Sequence, residues 1–268
     1  MQNTPDSETS TTILRDPKIY LVGRQTVDSA ALDEFLSDHE VTRWSTDTEV
    51  AGEKLIEVAG RLCYMSFAKP RPGGNKAYLS HILEVGHGSV LEHSVYNLII
   101  TGVSRSFTHE LVRHRAGFGF SQLSQRFVDE SSCEFIEPDA IADDPELHEV
   151  WLDAIQHCQT AYKTLADGLA VKFASIEDRT LRRKKAREAA RSILPNATET
   201  KIFVTANGRA LRHFIEMRGD AGADVEIRKV AVALLKILQT ESPNLFGDYS
   251  LRDLGEGGEA TSTLHRKV

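Results

Sequence analysis

A mixed α/β fold, one domain in which a mixed sheet packs with long helices, is what this sequence predicts, and three observations predict it. Short segments rich in β-branched residues alternate with longer segments whose apolar residues recur at helical spacing. The chain has 268 residues, 41% of them hydrophobic, enough to bury a sizeable core without disulfides or structural metals. No internal repeat or low-complexity block interrupts the pattern.

In chain order, the opening stretch MQNTPDSETSTTILRD is polar and poor in large apolar residues, so residues 1–17 are expected to be flexible. The folded domain is expected over residues 18–250. KIYLVG, from Lys18 to Gly23, alternates and ends in glycine as a short strand does. KPRPGGNK, Lys69 to Lys76, is the clear loop. SVYNLIITGV, Ser94 to Val103, is β-branched and reads as a second strand, and TKIFVTAN, Thr200 to Asn207, as a third. Trp151, Ile155, Cys158, Tyr162, Leu165 and Leu169 form one helical stripe, and Val225, Val230, Leu234, Ile237 and Leu238 another; both are expected to face the core. The tail after residue 250, with DLGEGGEATSTLHRKV, is polar and glycine-rich, so residues 251–268 are also expected to fray.

Charge narrows the function. The net charge is −7 and the isoelectric point about 5.8, so no global positive field draws the protein to nucleic acid, and any anion site must be local. Three widely spaced cysteines, Cys63, Cys133 and Cys158, with no leader peptide and no apolar run long enough to span a membrane, predict a reducing, cytoplasmic setting.

Four clusters carry chemistry. GHGSVLEH, Gly86 to His93, reads as a metal site on His87, His93 and Glu92, as structural capping, or as a ligand-binding turn in which glycine lets the backbone approach a ligand. The metal reading lacks the His-Glu-x-x-His spacing. RHRAGFGFSQLSQRF, Arg113 to Phe127, puts Arg113 and Arg115 at a helix end, then a glycine loop, then Gln122, Ser124 and Arg126. That arrangement suits either a nucleotide cradle, because guanidinium forks match phosphate, or an exposed helix terminus whose cations favour the dipole. RTLRRKKAREAARSILP, Arg179 to Pro195, places Arg183, Arg187 and Arg191 on one helical side; most of the run reads as a solvated face, with Arg191 pointing inward. NGRALRHFIEMRGD, Asn207 to Asp220, leaves Arg209, His213 and Arg218 beside an apolar face. There is no complete dinucleotide fingerprint, no P-loop and no nucleophile elbow. From the residues alone the chain reads as an intracellular enzyme with an arginine-lined anion site.

The order of the clusters adds to this. Gly-His-x-Ser-x-x-Glu-His, Arg-His-Arg with a downstream Ser-x-Arg-aromatic, Ala-Arg-x-x-Leu-Pro, then Asn-x-Arg and a final arginine together resemble the flavin-dependent thymidylate synthases, from about Lys18 to Tyr249. The resemblance implies a mixed α/β homotetramer that makes thymidylate from deoxyuridylate (dUMP), with methylenetetrahydrofolate as one-carbon donor and NADPH as reductant through FAD. It implies no metal, no membrane and no nucleic-acid polymer. By position, Ser89, Arg113, His114, Arg115, Gln122, Asn207, Arg209 and His213 would contact FAD. Glu110, Leu111, Val112, Arg113, Gln122, Leu123, Ser124, Gln125 and Arg126 would contact dUMP, with Arg191 and Arg218 closing over it. Arg126 and Arg191 suit the phosphate; Arg218 suits the uracil ring and is the catalytic candidate. Three positions depart from the family form: Glu110 stands for a glutamine, Gln122 for a glutamate and His213 for an asparagine. None of the cysteines falls in these motifs, so no thiol nucleophile is implied, and Ser124 reads as a substrate ligand. Eight residues, Ala116 to Leu123, separate Arg-His-Arg from Ser124, one more than the family spacing. Gly117 and Gly119 are expected to absorb the extra residue, making Ala116 to Phe120 a mobile flap. Two rival classes are a single-stranded nucleic-acid binder, which the acidic total and 7% aromatic content disfavour, and a metal hydrolase on His87, His93 and His114.

Overall fold

The computed structural model describes residues 11–41, 44–69 and 71–266. Its elements are β1 (Ile13–Leu14), β2 (Lys18–Gly23), α1 (Ser29–Asp38), α2 (Ala51–Leu62), α3 (Gly74–Glu84), a 3-10 turn (Gly88–His93), β3 (Val95–Ser104), α4 (Arg105–Leu111), β4 (Phe118–Gln122), β5 (Phe135–Ile136), α5 (Asp139–Ala142), α6 (Pro145–Lys172), α7 (Arg179–Ala190), a short 3-10 turn (Arg191–Ile193), β6 (Glu199–Asn207), α8 (Gly208–Arg218), α9 (Val225–Glu241), α10 (Pro243–Phe246), β7 (Ser250–Asp253) and β8 (Glu259–Ser262). The mixed α/β class is as expected. The chain clusters into two compact units, each built from separate segments. One holds residues 11–18, 101–109 and 122–202; the other holds residues 19–100, 110–121 and 203–266. The boundaries fall inside β2, β3, α4, β4 and β6, so composition carries no linker signal.

In the second unit a four-stranded sheet has the order β2-β3-β6-β4. The sheet buries Leu98, Ile100, Val204 and Ala206. Helix α8 buries Leu211, Phe214 and Ile215, and α9 buries Val230, Leu234 and Leu238; the predicted stripe on α9 faces the core there, with Ile237 half-buried, but its first member, Val225, is 43% exposed. Asp224 starts α9 by accepting from Glu226 N. Arg212, 2% exposed, makes a two-pronged bridge to Asp248 (2.6 and 2.8 Å), donates to Leu245 O (2.7 Å) and stacks on the Tyr249 ring (4.7 Å), while its Nε has no hydrogen-bond partner among the described residues. A cation in a core needs its charge met in this way.

In the first unit β1 pairs in parallel with β5, and α6 packs along α7. Asp144 caps α6 through Glu146 N and Leu147 N, and Pro145 sets its first turn; Asp178 caps α7 through Thr180 N and Leu181 N. The predicted stripe on α6 is only partly buried. Ile155 and Tyr162 are 3% and 0% exposed, whereas Leu165 is 42% exposed.

Two expectations need correction. Residues 251–266 do not fray: β7 and β8 form an antiparallel hairpin from Ser250 opposite Ser262 to Asp253 opposite Glu259. Thr261 Oγ1 donates to Ile215 O (2.9 Å), and Arg228 Nη2 to Gly257 O (2.7 Å). Backbone pairing and carbonyl acceptors hold this segment, and neither registers in composition. At the other end, residues 1–10 lie outside the described residues, but residues 13–14 form β1 within the segment expected to be flexible.

Candidate functional site

The site residues of the second unit gather at the ends of α8 and α4. Asn207 starts α8 by accepting from Ala210 N (2.8 Å), and the buried positions Leu211, Phe214 and Ile215 turn Arg218 toward the Arg-His-Arg segment. Arg218 Nε donates to His114 Nε2 (3.0 Å) and Nη1 to Glu110 Oε2 (2.8 Å). A guanidinium only donates, so Nε2 of His114 accepts and the ring proton belongs on Nδ1. Burial, then the positive charge of Arg218 and the neighbouring His213, push His114 down to about 4, which keeps the ring neutral at pH 7. Its ring lies edge-on to Phe214 (5.2 Å), with Phe118 and His213 each at 6.0 Å. Two of the five N–H groups of Arg218 are used, leaving three for a ligand, and its side chain is 24% exposed.

Around this centre Ser89, Arg113, Arg115, Arg209 and His213 are all exposed. Arg209 pairs with Glu92 (2.7 Å), whereas Arg113 and Arg115 have no ion pair among the described residues. Val112 is exposed, but the Leu111 side chain is buried in the core, so any ligand contact at Leu111 falls to its backbone.

The first unit gathers a second group. Gln122 Nε2 donates to Thr108 Oγ1 (3.1 Å) and Thr200 Oγ1 (3.3 Å), and Leu123 N donates to Lys201 O (2.9 Å). Ser124 Oγ accepts from Arg126 N (3.4 Å), which makes a tight turn after β4. Arg126 bridges to Glu188 (2.8 Å). Among the described residues, Arg126 Nε, Gln125 Nε2 and Arg105 Nε are buried donors with no hydrogen-bond partner, and Glu130 Oε1 is a buried acceptor with none. Burial lowers the Arg105 pKa, with Glu130 opposing that shift and Arg191 adding to it; burial raises Glu130. Buried orphan donors cost stability, so Gln125 and Arg126 of this segment, with Arg105 of α4, are candidates to meet a ligand acceptor; Trp44 Nε1 and Arg212 Nε elsewhere are unpartnered in the same way.

The structure thus divides the predicted residues. Glu110, Arg113, His114, Arg115, Asn207, Arg209, His213 and Arg218 fall in one unit, and Gln122 to Arg126 with Arg191 in the other. Arg191 is half-buried, as its place beside the apolar SILP end implied. Arg105 was missed, because one arginine in a helix start looks like any solvated cation; only its burial and its bond to Leu123 O (2.9 Å) single it out. The loop expectation also changes. Phe118–Gln122 is strand β4, paired with β6 in the sheet, and Asn207 N donates to Gly117 O (3.1 Å). Gly117 takes φ 73°, as proposed for the extra residue, but Gly119 has no positive φ. The Phe118 and Phe120 rings stack at 5.6 Å.

Known proteins are similar to this chain. A family model described as "Thymidylate synthase complementing protein" matches residues 46–244. The flavin-dependent thymidylate synthase of Mycolicibacterium gilvum is 49% identical over 245 residues, 90% of this chain and 97% of that one. That of Mycobacteroides abscessus is 48% identical over 235 residues, 87% and 93% of the two chains. Among solved structures, a UMP/dUMP methylase, PolB from Streptomyces cacaoi bound with 5-Br dUMP, superposes with a TM-score of 0.65 at 19% identity, covering 88% of this chain and 95% of that one. At that identity the likeness is one of fold.

Proposed function

This chain belongs to the flavin-dependent thymidylate synthase family, and from that premise we propose how its residues divide the work. The enzyme methylates dUMP to thymidylate and depends on a flavin, FAD. Methylenetetrahydrofolate as one-carbon donor, NADPH as reductant, a homotetrameric assembly and a cytoplasmic setting are the finer parts of the proposal. Among the described residues no helix is long and apolar enough to cross a membrane, and the three cysteines are free thiols.

The residues present fit the two ligands. Arg113 and Arg115 offer guanidinium forks with no counter-ion among the described residues, the donor set a dinucleotide diphosphate requires. We assign Ser89, Arg113, His114, Arg115, Gln122, Asn207, Arg209 and His213 to FAD. The orphan donors of Arg105, Gln125 and Arg126 fit the nucleotide phosphate. We assign Glu110, Leu111, Val112, Arg113, Gln122, Leu123, Ser124, Gln125, Arg126, Arg191 and Arg218 to dUMP. Bound FAD supplies hydride chemistry.

Arg218 is the catalytic residue of the proposal. Making the pyrimidine carbon nucleophilic requires negative charge to build on the uracil ring, and a fixed cation favours the N3-ionised form. Glu110 and His114 fix that cation. Because His114 is neutral, it accepts from Arg218 and orients the fork without adding a like charge. Neither Cys133 nor Ser124 offers an activated nucleophile. Burial pushes Cys133 up to about 12, and no basic side chain hydrogen-bonds Ser124 among the described residues. Support for the assembly comes from Val150, Leu165 and Val171 of α6, which are 70%, 42% and 76% exposed in the single chain.

The single observation that carries the reading is Arg218 held between Glu110 and a neutral His114. Purified protein should be yellow, bleach with NADPH, and convert dUMP to thymidylate only when methylenetetrahydrofolate is present. Flavin-free protein with full activity would overturn the reading.

A further inference from the structure

We propose that the outward face of α7 is a docking track for a chain of carboxylates, the γ-linked glutamyl tail of the folate co-substrate. This rests on the proposed use of folate and extends it to a part of the molecule that reading leaves idle. Helix α7 carries six basic residues, Arg179, Arg182, Arg183, Lys184, Lys185 and Arg187, against one acid, Glu188, in a chain of net charge −7. Arg179, Arg183, Arg187 and Arg191 recur at i,i+4, so the first three form a ladder along one side of the helix with rungs about 6 Å apart, and Arg191 follows at its C-cap.

A merely solvated face would be built otherwise. Like charges at i,i+4 destabilise a helix and cations at its N-terminal end oppose the dipole, and the one acid at that end is the N-cap Asp178, whose carboxylate is taken up by Thr180 N and Leu181 N. The one acid of the helix is already committed, since Glu188 pairs with Arg126 at 2.8 Å. The ladder is also anchored at its inner end. Arg187 Nη1 donates to Phe127 O (2.6 Å), Nη2 bridges to Asp129 (2.7 Å), and Lys184 sits over the Phe127 ring at 5.0 Å. These contacts fasten α7 to the segment that follows Arg126, one of the residues assigned to dUMP. From that anchor the ladder runs outward to Arg183 and Arg179, which are exposed and have no ion pair among the described residues. The two unpaired guanidinium forks, Arg179 and Arg183, match successive carboxylates, each fork taking one through two parallel hydrogen bonds. Single-stranded nucleic acid fits less well, because it needs a series of aromatic platforms, and α7 carries no aromatic residue; Phe127, 57% exposed with Lys184 5.0 Å from its ring, is a single ring beside it.

The test compares KM for monoglutamyl and pentaglutamyl methylenetetrahydrofolate in the wild-type holoenzyme and in Arg179→Glu/Arg183→Glu, at low salt and at about 0.3 M salt. The pentaglutamyl form should have a KM roughly tenfold lower in the wild type at low salt, with the advantage shrinking as salt rises. The double variant should lose that advantage while its kcat and KM for the monoglutamyl form, its flavin content and its elution volume stay as in the wild type. Arg183→Gln, a milder change, should lose about threefold. Free tetra-γ-glutamate should inhibit the wild type and not the double variant. Equal KM values for the two folates in the wild type would overturn the docking track and leave the reaction standing. Inhibition by single-stranded RNA but not by γ-glutamate would overturn it in favour of a polymer. No turnover with either folate, in yellow and folded protein, would sink the reaction, and the track with it.

Discussion

Arg218 draws its role from the two groups that hold it, and His114 is kept neutral by burial and, after it, by the charge of Arg218. Arg218→Ala should fold and keep its flavin but lose about two to three decades of turnover at saturating dUMP, the range for removing a charge-stabilising group. Near-normal turnover would remove Arg218 from the chemistry. Ser124→Ala should weaken dUMP binding by roughly 1 kcal/mol, about fivefold, and leave measurable turnover; abolished turnover with intact binding would make Ser124 a nucleophile after all. His114 also makes stability depend on pH. Its folded pKa, about 4, lies below its unfolded value near 6.5, so the unfolded chain binds the proton first. The stability it contributes is fully present above pH 6.5 and is lost as pH falls from there through 4. Urea unfolding at pH 7 and pH 5 should show a smaller drop for His114→Asn than for the wild type; identical drops would show that this ring does not carry the effect.

At the scale of elements, β4 is the part that changes the account of the glycines. Gly117 is needed for its φ of 73°, and a Cβ there would meet Asn207 Nδ2 at 2.6 Å and Ala210 Cβ at 2.8 Å. Gly117→Ala should therefore cost more than about 1 kcal/mol, read as a lower urea midpoint at unchanged slope. A neutral result would mean that the turn relaxes freely. Gly119 has no such constraint, with only Thr205 Cβ near, at 3.8 Å. Strand pairing also changes the expected dynamics of this segment. Leu123 N, bonded to Lys201 O, should exchange slowly with and without dUMP, and exchange that slows only on dUMP binding would restore the mobile flap.

The whole molecule brings the assembly into play. If residues from more than one copy hold FAD, flavin is a ligand of the oligomer, and a hundredfold excess over its Kd should add about 2.7 kcal/mol of apparent stability. Adding FAD to apoprotein should raise Tm and shift light-scattering mass toward a tetramer. A monomer that binds FAD tightly would contradict both the assembly and the explanation offered for the exposed apolar residues of α6.

Periodicity and β-branched composition were enough to place β2, β3 and β6 to within a residue and to find α9, because those segments bury one face and their side chains must repeat with the backbone. The order of the motifs was enough to identify the family, because binding residues keep their spacing wherever the elements between them keep their length. The sequence alone also held the charge of α7 and the arginine ladder, since both are local. What only the tertiary structure decided was non-local. The glycine-rich Phe118–Gln122 became a strand because β6 offered it backbone partners, and the polar tail became a hairpin because Ile215 O and Gly219 O accept from Thr261. Arg105 became a candidate ligand only through burial of its Nε. The neutral state of His114 likewise depends on Arg218, 104 positions away, and no pattern along the chain records which distant charge a ring will meet.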